Sequence, residues 1–491
     1  VNYVIRADAA PEIGTGHVMR CLRLAAVLRA NGGKVRFVCR ELTGSLRDRI
    51  EAEGCEVIML PPSAIWPDEG ADAKAVQAQL AGTGCDWLIV DHYTLGAGWE
   101  RSMRAAARRI MVIDDLCRPH DCDVLLDQNF HAAPDNRYDG KLPAGAITLL
   151  GPRYALLADE FAPIVPPSLR DGQVRRILVS LGGVDQVDAT SVVLDALDMA
   201  GRHGAAIDVV IGAAHPRRDQ IVARCAAMAD TICHIETREM AALITAADIA
   251  IGAGGTSTWE RCALGLPTLA LCVAENQRNL IAHASRAGLI YAVDGDNPSA
   301  DKLARHIQAL MENSGLRALI SRAGTALVDG RGAARVAAAL SGGAIAMRLA
   351  TQADCDALHE WRNHPSVRLV SRNQKETSLE DHRRWFASVR ASASRDLLVG
   401  ESGGTPVGVV RFDRQGDCAE VSIYLVPGAV TAARGQGSAL LLSAEEWLAR
   451  SHPQVKTVKA EVLDGNQPSL GLFERCGYAR DSYVFLKRLH R

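Results

Sequence analysis

Three things are scarce in this sequence: net charge, closely paired cysteines and long apolar runs. Lys plus Arg number 55 and Asp plus Glu 57, a formal charge of −2 at neutral pH. A chain so balanced lacks the basic face of a nucleic-acid binder, although a small acidic ligand needs only a local positive site. The 13 cysteines include no C-x-x-C pair and lie scattered in apolar segments such as "LALCVAE" and "VRFVCRE". That spacing excludes a disulfide framework and points to reduced thiols. Cys117 and Cys122 flank His120 but lack a second ligand pair, so no metal is expected. No basic-then-apolar leader opens the sequence, and no apolar run reaches the roughly 18 residues a membrane span needs. A soluble, cytoplasmic protein with no membrane partner is expected.

What is present is alternation. At 491 residues the chain is too long for one core and suggests about three units. Through residues 1–158 short β-branched runs ("NYVIRAD", "KVRFVCR", "CEVIML", "DWLIVDH", "RIMVIDD", "DVLLDQN") alternate with helical patterns, which predicts a parallel sheet with crossover helices. The proline-bearing piece "YALLADEFAPIVPPSLRDG" reads as a hinge. Residues 159–340 repeat the alternation with "RRILVSLGG", "IDVVIGA", "TICHIE", "DIAIGAGG" and "TLALCVA". Two such halves predict a cleft faced by the carboxyl ends of both sets of strands. A small-residue linker is expected over 341–346. In 347–491 the pattern becomes α+β: helices around "ADCDALHEWRNHP" and "SLEDHRRWFASVR", an antiparallel meander in "RDLLVGESGGTPVGVVRFDRQGDCAEVSIYLVP", then a Gly-rich turn, a helix, "VKTVKAEVL", a helix and a last strand "SYVFLKRL".

The first candidate site is "EIGTGHVMR". A dinucleotide fingerprint would need a third glycine at position 19, which is Met. What remains is a turn of free amides, Gly14 and Gly16 among them, opening a helix and suited to an anion. His17 falls in the first helical turn, where the positive helix end favours its neutral, basic form. A histidine that only bonds across the turn is the alternative reading. In the second half, "SLGGVD" and "GAGGTSTWE" each place a glycine pair between strand and helix, a pattern suited to a nucleotide diphosphate. Thr256 or Ser257 would cap the second of these helices, and Glu260 would accept from ribose hydroxyls. "AENQRN" adds amides and a carboxylate.

Taken together, "RADAAPEIGTGHVMRCLRLA", "IVDHYTL", "DDLCRPHDCDVLLDQN", "GPRYALL", "SLGGVD" and "AGGTSTWERCALGLPTLALCVAENQ" resemble, in the same order, the UDP-sugar hydrolase family of pseudaminic acid biosynthesis. The resemblance covers about residues 1–335 and implies the two-lobed GT-B fold. It also implies removal of UDP from UDP-2,4-diacetamido-2,4,6-trideoxy-β-L-altropyranose by water attacking the anomeric carbon. By that resemblance His17 is the catalytic base and Tyr93 stands near the reacting water. Arg6, Asp8, Gly14 and Gly16, the Gly182–Gly183 and Gly254–Gly255–Thr256 turns with Glu260, and Glu275, Asn276, Gln277 and Asn279 hold UDP and sugar. Ala158 stands where that family often has arginine.

In the last unit "SIYLVPGAVTAARGQGSALLLSAEEWLA" sets a strand, then Arg434-Gly435-Gln436-Gly437-Ser438, then a helix. An R/Q-x-x-G-x-G/A turn opens a ring of amides onto a pyrophosphate. With "DGNQPSLGLFERCGY", residues 347–491 resemble the GNAT acetyltransferase family, which implies acetyl-CoA as donor. The resemblance implies that Asn466 and Ser469 contact the pantetheine arm and that strand residues Ile423 and Leu425 pair with it. Phe473 occupies the position where relatives carry a tyrosine acid, leaving Tyr478 or Tyr483 for that role. Glu420 is a candidate proton acceptor, and Trp361, Arg362, Asn363 and Trp385 are candidates for the acceptor pocket.

The expected protein is therefore two Rossmann-like parallel-sheet halves of GT-B type followed by a GNAT domain. It would acetylate a UDP-4-amino sugar and remove UDP from the product, with water, acetyl-CoA and the UDP-sugar as small-molecule partners. Other enzymes of the same sugar pathway are further candidate partners. A glycosyltransferase, or an inactive UDP-sugar binding module fused to an acetyltransferase for another amine, are the alternatives.

Overall fold

Apolar runs too short for helices and rich in Val, Ile and Leu form the strands of three sheets in a computed structural model of the chain. The structure describes all residues except 11–12, 63–67, 135, 164–166, 202–203, 294, 296–297, 343–344, 403, 429–434, 464 and 480–491, and leaves the side chains of 276, 341 and 342 aside. Contacts divide the chain into two units, Val1–Ala333 and Ala334–Arg491.

The first unit holds two all-parallel sheets. One comprises β1 (Asn2–Ala7), β2 (Lys34–Arg40), β3 (Glu56–Leu60), β4 (Trp87–Asp91), β5 (Arg109–Ile113), β6 (Val124–Asp127) and β7 (Ile147–Leu150), in the order β3-β2-β1-β4-β5-β6-β7. The other comprises β8 (Arg176–Ser180), β9 (Ala206–Ile211), β10 (Thr231–Ile235), β11 (Ile249–Ala253), β12 (Thr268–Leu271) and β13 (Tyr291–Ala292), in the order β10-β9-β8-β11-β12-β13. Strand order reverses between β1 and β4 in one sheet and between β8 and β11 in the other. Crevices open at such reversals, beyond the strand carboxyl ends. Every segment that carries candidate chemistry in this unit follows one of these central strands or a neighbour.

Both halves bury aliphatic layers on their sheets. Val4, Leu88 and Ile110 are 0 % exposed in the first, and Ile177, Val209 and Ile249 are likewise 0 % exposed in the second. The segment expected as a hinge is not one throughout. Ala155, Leu157 and Phe161 are buried in the second core, where their apolar surface outweighs the interruption by proline. The short strands β7 and β13 were not anticipated.

The second unit is a five-stranded sheet of β14 (Ile345–Leu349), β15 (Arg395–Ser402), β16 (Thr405–Gln415), β17 (Cys418–Leu425) and β18 (Thr457–Ala460), antiparallel but for the β17–β18 pair. The helix Gln436–Ser451 packs Leu440, Leu441 and Leu448 against Val410, Phe412 and Val421. It lies so close that a Cβ at Gly400 or Gly408 would meet a Leu440 methyl at 2.3 or 2.2 Å. Helices Cys355–Asn363 and Leu379–Ala391 contribute Leu358, Phe386 and Val389 to a separate cluster with Leu397, Val399 and Val409. The interval expected as a linker, 341–346, is mostly regular: the helix Gly332–Gly342 reaches into it and β14 begins at Ile345. The expected last strand lies outside the described residues. Among those described, no helix is long and apolar enough to cross a membrane.

Candidate functional site

Beyond β1 the chain turns through Gly14 at φ +82° and enters the helix Gly16–Ala30. His17 and Arg20, three residues apart, share one helix face. That face meets Asp91, the last residue of β4, which is 0 % exposed. His17 Nδ1 lies 2.6 Å from Asp91 Oδ1, and Arg20 donates from Nε to Oδ2 and from Nη2 to Oδ1, each at 2.6 Å. Burial alone would raise the Asp91 pKa, but Arg20 and His17 hold it well below the usual carboxylate range. An ionised carboxylate only accepts hydrogen bonds, so Nδ1 carries the ring proton and a neutral His17 keeps its lone pair on Nε2. The Tyr93 ring stands edge-on to the imidazole, with centroids 4.6 Å apart. Burial raises the Tyr93 pKa, so its hydroxyl stays protonated and donates to Asp115 Oδ2 at 3.3 Å.

His17, Gly16, Arg20, Tyr93, Asp115 and Asn129 line one side of an open cavity of about 640 Å³, counting its mouth. Gly254, Gly255 and Thr256 after β11, with Gln277 and Leu280 from the helical segment after β12, line the rest together with Ile13. Gly254 is required there, since a Cβ would meet Ile281 Cγ1 at 2.3 Å. Arg261, 2 % exposed, pins the turn from within by donating to Ala253 O (2.8 Å), Thr268 Oγ1 (3.1 Å) and Ser257 Oγ (3.1 Å). Burial draws its pKa down to about 10. The expected cap does not form: Thr256 occupies the N-cap position with helical backbone angles and makes no capping bond.

Other expected ligand contacts are placed differently. Arg6 and Asp8, alternate residues of an extended segment and therefore on one face, are 0 % exposed. Arg6 binds Asp8 at 2.6 Å and Asp72 at 2.7 Å, Arg40 binds Asp72, and His92 Nε2 lies 3.2 Å from Asp8. This interior network positions the end of β4 and gives neither residue a surface on the cavity. Gly182 and Gly183 form an exposed turn after β8 and are not among the lining residues. Glu275 is exposed and pairs with Arg278 at 2.8 Å; Asn279 is exposed, and the Asn276 side chain lies outside the described residues. Glu260 is partly buried, and desolvation raises its pKa against the pull of Arg261 and Arg23. Ala158 packs against the second core. Sequence reasoning missed Arg20, Asp91, Asp115 and Asn129. Their signal was "VDH", "DD" and "DQN", polar residues directly after apolar parallel strands, and the helical H-x-x-R spacing.

In the second unit β17 leaves its parallel partner. The β18 ladder ends at Val421 opposite Ala460, whereas Ile423 and Leu425 remain paired only with Val410 and Gly408 of β16. Among the described residues no strand pairs with the second edge of 422–425, which would suit an extended amide-bearing chain. Gly435, at φ +107°, opens the helix Gln436–Ser451, and Ser438 Oγ is buried with no partner among the described residues, a hydroxyl near an anion-favouring helix end. These features fit a pantetheine-pyrophosphate ligand. Gly437 abuts Leu472, and the expected Arg434 and Tyr483 lie outside the described residues. Asn466 caps the helix Gln467–Arg475 by accepting from Ser469 N at 3.2 Å, so its oxygen is committed. Tyr478 donates to Glu445 at 2.7 Å and packs edge-on to buried Phe473. Glu420 accepts from Arg372 at 2.9 Å, which ties it into a surface ion cluster. Asn363 clasps Thr377 through both N and O, and Arg362 donates to Asn373 O at 2.7 Å, so both hold the 373–377 loop. Trp361, Trp385 and Tyr424, partly buried, each pack against the apolar cluster of Leu358, Phe386 and Val399.

Among the described residues one group could in principle ligate a metal: Asp185, Asp188 and His215. Its oxygens are already used. Asp185 accepts from Ala189 N, Thr190 N and Thr190 Oγ1, and Asp188 from Ser191 and Arg217. His120, flanked by Cys117 and Cys122, is buried against Glu100 at 2.7 Å instead of facing them as a ligand set.

Residues 345–479 match the acetyltransferase (GNAT) domain family. Over 162 residues the chain is 28 % identical to the UDP-2,4-diacetamido-2,4,6-trideoxy-beta-L-altropyranose hydrolase of Campylobacter jejuni, covering 33 % of this chain and 53 % of that protein. It thus spans about half the length of that relative. The uncharacterized protein MJ1062 of Methanocaldococcus jannaschii is 22 % identical over 504 residues, covering 98 % of this chain and 97 % of its own. In solved structures, MurG of Acinetobacter baumannii aligns with a TM-score of 0.50 at 12 % identity, over 69 % of this chain and 98 % of that one, a likeness of fold alone. The architecture is two Rossmann-like halves resembling the GT-B type, followed by a GNAT acetyltransferase domain.

Proposed function

We propose that the GT-B-like unit hydrolyses a UDP-linked diacetamido-trideoxy sugar and that the GNAT unit N-acetylates its 4-amino precursor from acetyl-CoA. The observation that carries the first activity is the His17–Asp91 pair, with His17 lining a cavity whose other wall includes the Gly254–Thr256 turn. The partial likeness to the Campylobacter hydrolase supports the substrate class.

The chemistry follows from this arrangement. Water is a weak nucleophile, and a neutral imidazole within hydrogen-bond reach takes its proton as its oxygen bonds to the anomeric carbon. Asp91 keeps the proton on Nδ1 and stabilises the imidazolium that forms, while Arg20 fixes the carboxylate. The bond from the anomeric carbon to the UDP oxygen breaks, and the negative charge passes to the diphosphate. Backbone amides of the 254–256 turn stabilise that charge without reorganising. Tyr93, held by Asp115, walls the water side.

In the GNAT unit, acetyl-CoA would supply the activated acetyl group, held along the second edge of Ser422–Leu425 and at the Gly435–Ser438 turn. An amine with a pKa near 8 is about a tenth neutral at pH 7, so alignment can supply much of the acceleration. These substrates imply a cytoplasmic setting. The decisive experiment incubates the full chain with the UDP-4-amino sugar and acetyl-CoA and follows sugar and nucleotide by mass spectrometry. Acetylated free sugar plus UDP is expected. UDP release only when an acceptor alcohol is supplied would assign glycosyl transfer, and tight sugar binding without UDP release would assign a binding module.

A further inference from the structure

In the chemistry above Asp115 serves only to hold Tyr93, through one of its two oxygens. Asp115 follows β5 and lies beside Asp114, but the two carboxylates have different surroundings. Asp114 is 0 % exposed and accepts from Arg118 Nε at 2.8 Å. Asp115 lines the cavity. Its Oδ2 accepts from Tyr93 at 3.3 Å and from Asn129 Nδ2 at 3.0 Å, which fixes the carboxylate plane. Its Oδ1 is buried and has no hydrogen-bond partner among the described residues.

We propose that Asp115 Oδ1 accepts a hydrogen bond from an N–H or O–H donor on the sugar and selects sugars that carry one. The assignment rests on the hydrolase reading above. A desolvated carboxylate oxygen without a donor is costly, and a ligand donor removes the cost. Burial, opposed by Arg20 and reinforced by Asp127 and Asp114, raises the Asp115 pKa, which shows the same unmet need. The diphosphate cannot meet it, since like charge would repel. Asp115 shares its wall with the His17 base, which must stand beside the anomeric carbon, so the sugar ring and its substituents are what come within reach. With Tyr93 and Asn129 both held on Oδ2, Oδ1 is preorganised rather than free to turn away.

The test uses the full-length protein and UDP release from four substrates: the diacetamido UDP-sugar, two analogues in which the amide N–H at C2 or at C4 is replaced by an ester oxygen, and the 3-deoxy analogue. For the wild type, kcat/KM falls about 10- to 100-fold for one analogue, as expected for a lost bond to a charged acceptor. The analogue identifies the donor as amide or hydroxyl. In Asp115→Ala that penalty disappears, parent and analogue reacting within about twofold of each other. Asp115→Asn, which keeps the volume and an acceptor without the charge, shows an intermediate penalty. If all four substrates react alike with the wild type, or if both variants retain its full penalty, the assignment is overturned. If the wild type releases no UDP from the parent sugar, the hydrolase reading fails first and this assignment with it.

Discussion

Asp91 Oδ1 stands 2.6 Å from His17 Nδ1, and the same carboxylate is held by two further 2.6 Å bonds from Arg20. One side chain therefore sets both the tautomer and the orientation of the proposed base. His17→Ala should lower UDP release by about 10²–10⁴-fold, the usual contribution of a general base, with acetyl transfer unchanged. Asp91→Asn should be nearly as damaging, because the amide can donate to the ring and favour the wrong tautomer. A continuous UDP assay beside a thiol-release assay on each variant checks both.

A second prediction concerns the amide-lined turn. At Gly254 a Cβ would lie 2.3 Å from Ile281 Cγ1, so Gly254→Ala must displace the turn or the helix behind it. Overpacking of this kind costs about 1–3 kcal/mol. Thermal stability and UDP affinity should both fall, and Ile281→Ala in the same chain should restore much of each. Thermal melts and calorimetric titration with UDP read the two quantities.

The acetyltransferase unit should be separable by its own turn. Gly437→Asp adds a carboxylate beside Leu472 at the amino end of the helix, next to the turn proposed to hold the pyrophosphate of acetyl-CoA. It should abolish acetyl transfer while UDP release from the acetylated sugar continues at the wild-type rate. Ser438→Ala removes a buried hydroxyl that has no partner among the described residues and should raise the KM for acetyl-CoA severalfold with a smaller change in kcat.

His120 gives a pH signature. Burial would lower its pKa, but Asp114 and Glu100 together raise it from 6.5 to about 9. A histidine raised on folding contributes stability that is complete below the unfolded value near 6.5 and is lost as pH rises through about 9. The window is thus neutral to alkaline, and the loss is on the order of 2–3 kcal/mol. Chemical denaturation between pH 6 and pH 10 should show this decline for the wild type. His120→Gln should be less stable at pH 6 and have a flatter profile.

Much of this was legible in the sequence, for identifiable reasons. Parallel strands buried on both faces must be short apolar runs, so "DWLIVD" and "DIAIGA" announced themselves, as did the strand-to-helix turns at His17 and Gly254. The dyad was less visible because Asp91 lies 74 residues from His17 and meets it only through sheet order. Arg6 and Asp8 misled for a related reason. Charged residues at a strand end next to a candidate loop suggest ligand contacts, and only the fold reveals Asp72 and Arg40 as their counter-ions.

The Arg6–Asp8–Asp72–Arg40 cluster has an evolutionary corollary. Four buried charges locked together cannot be exchanged singly, because each intermediate would leave an uncompensated ion in the interior. Lineages descended from a common ancestor with this chain should accordingly retain the quartet whole or lose it whole, with substitutions at these four sites arriving in concert.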